Sequence, residues 1–116
     1  MKIIRLYTGS DQKSHFEDIE IKFGGNQQIL TGDSRPATSA VFRCILPGSV
    51  LERHPAPRRQ FVITLSGSWE IEASAGMVRT FKAGDVMLAD DTTGEGHISR
   101  VVGNEPHVFM TVPLAE

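Results

Sequence analysis

The sequence has a single cysteine, Cys44, which excludes an intramolecular disulfide and a thiolate-rich zinc site. It also lacks long apolar runs. The opening MKIIRLYTGS holds one lysine and two consecutive isoleucines, too little for a signal peptide or a membrane span, so a cytoplasmic location is expected by default. Charge of one sign is missing too: a formal net charge of −2 gives no general attraction to nucleic acid or an anionic membrane. Arg53, Arg58 and Arg59 form the one local basic cluster, without the exposed aromatics that nucleic-acid binding would use. The expected partner is therefore a small molecule, not nucleic acid or membrane. No Walker loop, dinucleotide fingerprint, zincin helix or serine-elbow motif occurs. No stretch of a dozen residues reads as an amphipathic helix, and there are no repeats, low-complexity tracts or linker-like segments.

What the 116 residues do contain is period-two alternation, at a length that supports one domain spanning 1–116. Ala40, Phe42, Cys44 and Leu46 alternate with Ser39, Val41, Arg43 and Ile45; Trp69 and Ile71 alternate with Glu70 and Glu72; Ile19, Ile21 and Phe23 alternate with Glu20 and Lys22. Turn signals punctuate these runs at Gly24-Gly25-Asn26, Gly32-Asp33, Pro47-Gly48, Ser66-Gly67, Ala83-Gly84-Asp85, Thr93-Gly94-Glu95-Gly96 and Gly103-Asn104-Glu105-Pro106. The pattern predicts an all-β sandwich or barrel, with strands near 2–7, 17–23, 39–46, 60–66, 68–73, 77–81, 86–89, 97–102 and 107–112. Residues 60–65 are apolar on both faces, with Val62 and Thr64 beside Gln60, and Phe61, Ile63 and Leu65 opposite. A second layer or a second subunit should cover the latter face, and a homodimer is expected. Cys44 and Trp69 read as packing residues.

Residues 48–67 resemble the first sequence motif of the cupin superfamily: glycine, five residues, His-x-His, three or four residues, glutamate, six residues, glycine. Gly48, His54, Gln60 and Gly67 keep that spacing, while Ala56 stands at the second histidine and Gln60 at the glutamate. The second motif opens on a Pro-Gly-Asp-like turn and carries one histidine. Here Phe81-Lys82-Ala83-Gly84-Asp85 and His97 match it across a lengthened loop, with Val101 at the closing asparagine. The resemblance covers roughly 39–112. It implies a cupin-type jelly-roll β-barrel with a core at about 39–112 and N-terminal strands from 1–38 packing on it. It also implies that His54, Ala56, Gln60 and His97 face one another inside the barrel, and the even spacing of 54, 56, 60, 62 and 64 agrees.

Cupins of the standard kind hold iron, manganese, zinc or nickel through three histidines and a glutamate. Two imidazoles and a neutral carboxamide should bind metal orders of magnitude more weakly, so no cofactor is expected. The alternative is a divalent transition metal on His54, His97 and Gln60, with His15 or His107 recruited. Without metal, two histidines in a partly apolar cavity suit acid/base work on a small substrate. The reading is an isomerase-, cyclase- or lyase-type cupin with His54 and His97 transferring protons, Gln60 orienting, and Arg59 or Arg58 clamping a carboxylate. A cupin that binds a ligand without catalysis, and a metal-dependent oxygenase or isomerase with a reduced ligand set, are the alternatives. His15, just before a strand, is a candidate substrate contact over the barrel mouth, though it reads more simply as an exposed loop residue. His107 reads as structural. Asp91 should brace the turn that follows it, since Asp90 and Asp91 on opposite strand faces have little scope to cooperate.

Overall fold

The computed structural model describes residues 1–26 and 28–115. Strand makes up 59% of it, and the only helical segment is a short 3-10 turn at Ser74–Gly76. The strands are β1 (Lys2–Thr8), β2 (Ser14–Glu20), β3 (Gly24–Asn26), β4 (Ile29–Thr31), β5 (Val41–Ile45), β6 (Val50–His54), β7 (Gln60–Ser66), β8 (Ser68–Glu72), β9 (Val78–Lys82), β10 (Val86–Asp90), β11 (His97–Val102) and β12 (His107–Pro113). They form a six-stranded sheet in the order β2-β1-β10-β7-β12-β5, a four-stranded sheet β6-β11-β8-β9, and the small hairpin β3-β4. Every ladder is antiparallel except β1 on β10, where Ile4 to Tyr7 run parallel to Met87 to Asp90. The N-terminal strands are thus built into the larger sheet.

The core lies between the two sheets, where alternation sends one apolar set inward from each strand. Leu6, Val62, Trp69, Ile71, Phe81, Met87 and Phe109 are buried there. The link between the sheets is very tight at Gly67, which has φ +71° and where a Cβ would overlap the Pro106 carbonyl, so the turn from β7 into β8 requires glycine. At the same end Asp85 closes its own turn, its carboxylate accepting from the Lys82 N–H at 2.9 Å.

The strand boundaries depart from expectation where pairing overrides pattern. Alternation at Ile19, Ile21 and Phe23 predicted a strand over 17–23, but β2 runs from Ser14 to Glu20, because its partner β1 ends its ladder at the Lys2–Glu20 pair. The segment that becomes β6 has no alternation to announce it and is extended because β11 pairs with it. Cys44 was expected in the core and is exposed instead, at the edge of the interior cavity that Val41, Arg43 and Ile45 of β5 also line, while Phe42 faces outward. Trp69 does pack inside the barrel, stacked on His107 at 4.5 Å between ring centroids.

The far face of the six-stranded sheet is covered in part by its own chain. Ile3, Leu88 and Leu114 are buried there, with Ile19, Ile21, Phe61 and Val86 against them. Toward the β5 edge the cover stops, and Phe42 is 74% exposed, Leu46 65% and Leu65 45%. Among the described residues no helix is long and apolar enough to cross a membrane.

Candidate functional site

A cavity of about 540 Å³ opens between the sheets, within the size range of small-molecule sites. His54, Ala56, Gln60 and His97 all line it, together with Arg43 and Arg58. The parity of 54, 56, 60 and 62 therefore carries through the His54-Pro55-Ala56-Pro57 turn, because the Ala56 N–H is pinned to the Asp91 carbonyl at 2.9 Å.

His54 ends β6 and His97 begins β11, and the two are register partners across the antiparallel ladder. Their ring centroids are 5.0 Å apart with planes tilted by 46°. Gly96 allows this approach: it has φ +83°, and a Cβ on it would overlap the His54 carbonyl. A register shift between His97 and Ser99 turns the start of β11 so that both side chains line the cavity.

Each imidazole is held through Nδ1. His54 Nδ1 donates to the Glu52 carbonyl at 2.6 Å. His97 Nδ1 donates to Asp91 Oδ2 at 2.6 Å, and the Ser14 hydroxyl donates to the same oxygen at 2.6 Å. All three members of this relay are interior: Asp91 is 0% exposed, Ser14 1% and His97 5%. Because a carboxylate only accepts, His97 carries its proton on Nδ1, which leaves Nε2 as the acceptor. Among the described residues neither Nε2 has a protein partner. Asp91 Oδ1 is buried without a donor. Such an unmet acceptor costs about 1–3 kcal/mol, and groups kept at that cost are concentrated at functional sites.

Asp91 is the residue that the sequence reading misjudged. Its side chain does not brace the turn; it fixes the tautomer and orientation of His97. The adjacent aspartates do point to opposite faces, with Asp90 outside, where Arg5 donates to it at 2.9 Å. Ser14 was missed altogether, and it lies outside the stretch that resembles cupins. The lengthened loop after β10 is tied down by the same hairpin, through Thr8 Oγ1 to the Thr93 carbonyl at 3.0 Å and the Glu95 N–H to the Gln12 carbonyl at 2.8 Å.

The remaining candidates lie elsewhere. Arg59 does not line the cavity; its Nε lies 3.0 Å from Asp90 Oδ1 on the opposite face of the strand. His15 faces away as well: its Nε2 sits 2.9 Å from Asp11 Oδ2, and it holds that carboxyl below the usual aspartate range. His107 is fully buried between Trp69 and Phe109, with Nε2 at 3.0 Å from Thr64 Oγ1. Burial pushes its imidazole down to about 4.

The metal implied by the resemblance does not fit the residues present. No group of three or more His, Cys, Asp or Glu side chains converges among the described residues. The position of the third imidazole is the methyl group of Ala56, and the anionic ligand is the neutral Gln60.

No protein-family model matches the sequence, and no curated protein matches it. Solved structures do. The double-stranded β-helix domain protein of Klebsiella pneumoniae is 29% identical, with a TM-score of 0.52 over 65% of this chain and 61% of that one. A cupin 2 conserved barrel domain protein of Salinispora arenicola is 23% identical, with a TM-score of 0.51 over 63% of this chain and 59% of that one. The chain thus matches about three fifths of the length of each. The cupin domain of Cnp3 from Schizosaccharomyces pombe superposes with a TM-score of 0.52 over 97% of this chain and 87% of that one, at 14% identity. The chain has the cupin, or double-stranded β-helix, fold. It is similar to small cupin-superfamily proteins.

Proposed function

We propose that this protein is a small-molecule cupin that does acid/base chemistry in its cavity without a metal. The observation that carries the reading is the paired imidazoles, each tied through Nδ1 and each with an Nε2 that no protein group occupies. His97, oriented by Asp91, is the base: its Nε2 takes a proton from the substrate, and Asp91 stabilises the imidazolium that results. His54, when protonated, returns a proton from its own Nε2 to an atom within reach of the first. Gln60 orients a substrate carbonyl or hydroxyl through its carboxamide. A proton-shift isomerisation consists of such a pair of transfers. In an elimination His97 takes the proton and His54 protonates the leaving group as its bond breaks. In a cyclisation His97 deprotonates the attacking group and His54 protonates the atom that receives the electron pair.

The test is proton exchange. Small oxo acids incubated with the protein in D2O should exchange a C–H for C–D, followed by NMR, and His97→Gln and His54→Gln should each abolish exchange while keeping the fold. Exchange retained in both variants overturns the reading. A compound that raises Tm but is recovered without exchange or conversion favours a binding module without catalysis.

Two copies of the chain pairing through the outer face of the six-stranded sheet belong to the same proposal. Cross-strand register aligns Phe42, Met110, Ile63 and Val86 in one apolar row over β5, β12, β7 and β10, ending at the open β5 edge. Phe42 is exposed and Met110, Ile63 and Val86 are half-buried, and an apolar row left partly open at a sheet edge is a surface suited to a second copy.

A further inference from the structure

We propose that the cavity is built for a small organic acid, with Arg43 holding its carboxylate, Arg58 closing on it from the rim, and the apolar wall receiving its hydrocarbon body. This rests on the cavity being a small-molecule site, though not on proton transfer taking place there.

The first observation is the charge of the walls. The cavity lining contains Arg43, Arg58, His54 and His97, and no aspartate or glutamate. The second is how the arginines are spent. Arg5, Arg53, Arg59, Arg79 and Arg100 each lie within 2.8–3.6 Å of a carboxylate oxygen. Arg43 and Arg58 have no carboxylate partner among the described residues, and these are the two that line the cavity.

Arg43 is also preoriented. Its Nε donates to Thr111 Oγ1 at 3.2 Å, and Thr111 is buried. That bond fixes the plane of the guanidinium and leaves both terminal nitrogens free, the fork that matches a carboxylate through two parallel hydrogen bonds. Arg43 stands on β5 between Val41 and Ile45 and lines the cavity from its exposed mouth, while Phe42 faces outward. An anion at that mouth can accept from the free fork of Arg43, and Val41, Ile45, Val62, Met87 and Phe109 can then cover a hydrocarbon body. Arg59, the anchor that the sequence suggested, is held by Asp90 instead.

The experiment is calorimetric titration of the full chain with hexanoate and with phenylacetate, each against its neutral amide, and with hexyl phosphate. The acids should bind at least about tenfold more tightly than the amides. Arg43→Gln should erase that preference. Arg43→Lys, which keeps the charge but loses the fork, should restore only part of it, and Arg58→Gln should weaken both acids by a smaller factor. Circular dichroism and Tm establish that each variant is folded. The titration reads binding alone and needs no proton exchange, so a failure of the acid/base reading remains separate from a failure of this one. The proposal is overturned if neither acid binds, if the amides bind equally well, or if folded Arg43→Gln keeps its preference. Hexyl phosphate binding much more tightly than hexanoate overturns the choice of carboxylate.

Discussion

Asp91 shows how one side chain ties the site together. It accepts from Ser14 and His97 through one oxygen and leaves the other unmet, in the fully buried interior. Asp91→Asn would place an amide N–H against Nδ1 and force the proton onto Nε2. Proton exchange should then fall by about a thousandfold or more with the fold retained, measured by NMR in D2O beside circular dichroism. Ser14→Ala removes a hydrogen bond to a charged group and should cost about 1.5–3 kcal/mol, read from urea unfolding. His107 supplies a pH dependence of its own. Its folded value of about 4 lies below the ordinary 6.5, so between those limits the unfolded chain binds more protons. The stability that neutral His107 contributes is full above pH 6.5 and is lost as pH falls toward 4, by up to about 3 kcal/mol. Equilibrium unfolding at a series of pH values should show that slope, and His107→Asn should flatten it. His54, Gln60 and His97 could be placed from sequence because motif spacing is local information. Asp91, Ser14 and Arg43 could not, since which face each shows depends on pairings made between distant strands.

At the scale of elements, strand existence was legible and strand roles were less so. Alternation and turn residues located nine of the strands, because hydrophobic periodicity records which face is buried. The same reasoning put Cys44 in the core, yet it is exposed, because β5 is the open edge strand of its sheet and borders the cavity. The hairpin β3-β4 read as a turn because three-residue strands are too short to show a period. A second tight junction is between β6 and β11 at Gly96. Gly96→Ala would meet both a positive φ and the His54 carbonyl, and should cost about 2 kcal/mol or more. It should also separate the two histidines, so that exchange activity falls further than stability alone accounts for. Urea unfolding and the exchange assay, run on the same preparation, check both halves of that expectation.

For the whole molecule, the outer face of the larger sheet predicts a solution mass near twice 12.7 kDa by light scattering. Phe42→Asp, at the most exposed point of the apolar row, should shift it to one chain's mass. A second expectation concerns the donor set. After incubation with iron, zinc, manganese or nickel and desalting, elemental analysis should find far less than one metal per chain, since two imidazoles and a carboxamide are a weak set. A stoichiometric metal would overturn the metal-free reading. The general plan of the molecule was legible in its turns and its two motifs; the role of the N-terminal hairpin was not, because it lies outside both motifs and acts through Ser14 and the loop contacts.

The parallel pairing of β1 with β10 bears on how the chain folds during synthesis. The hairpin of β1 and β2 can close early, but the strand that seats it in the sheet emerges from the ribosome some eighty residues later. Until then its apolar side has no home, and β5 must likewise wait for β12. Contacts so distant in sequence make folding slow, and an exposed nascent hairpin is a point at which a chaperone would engage.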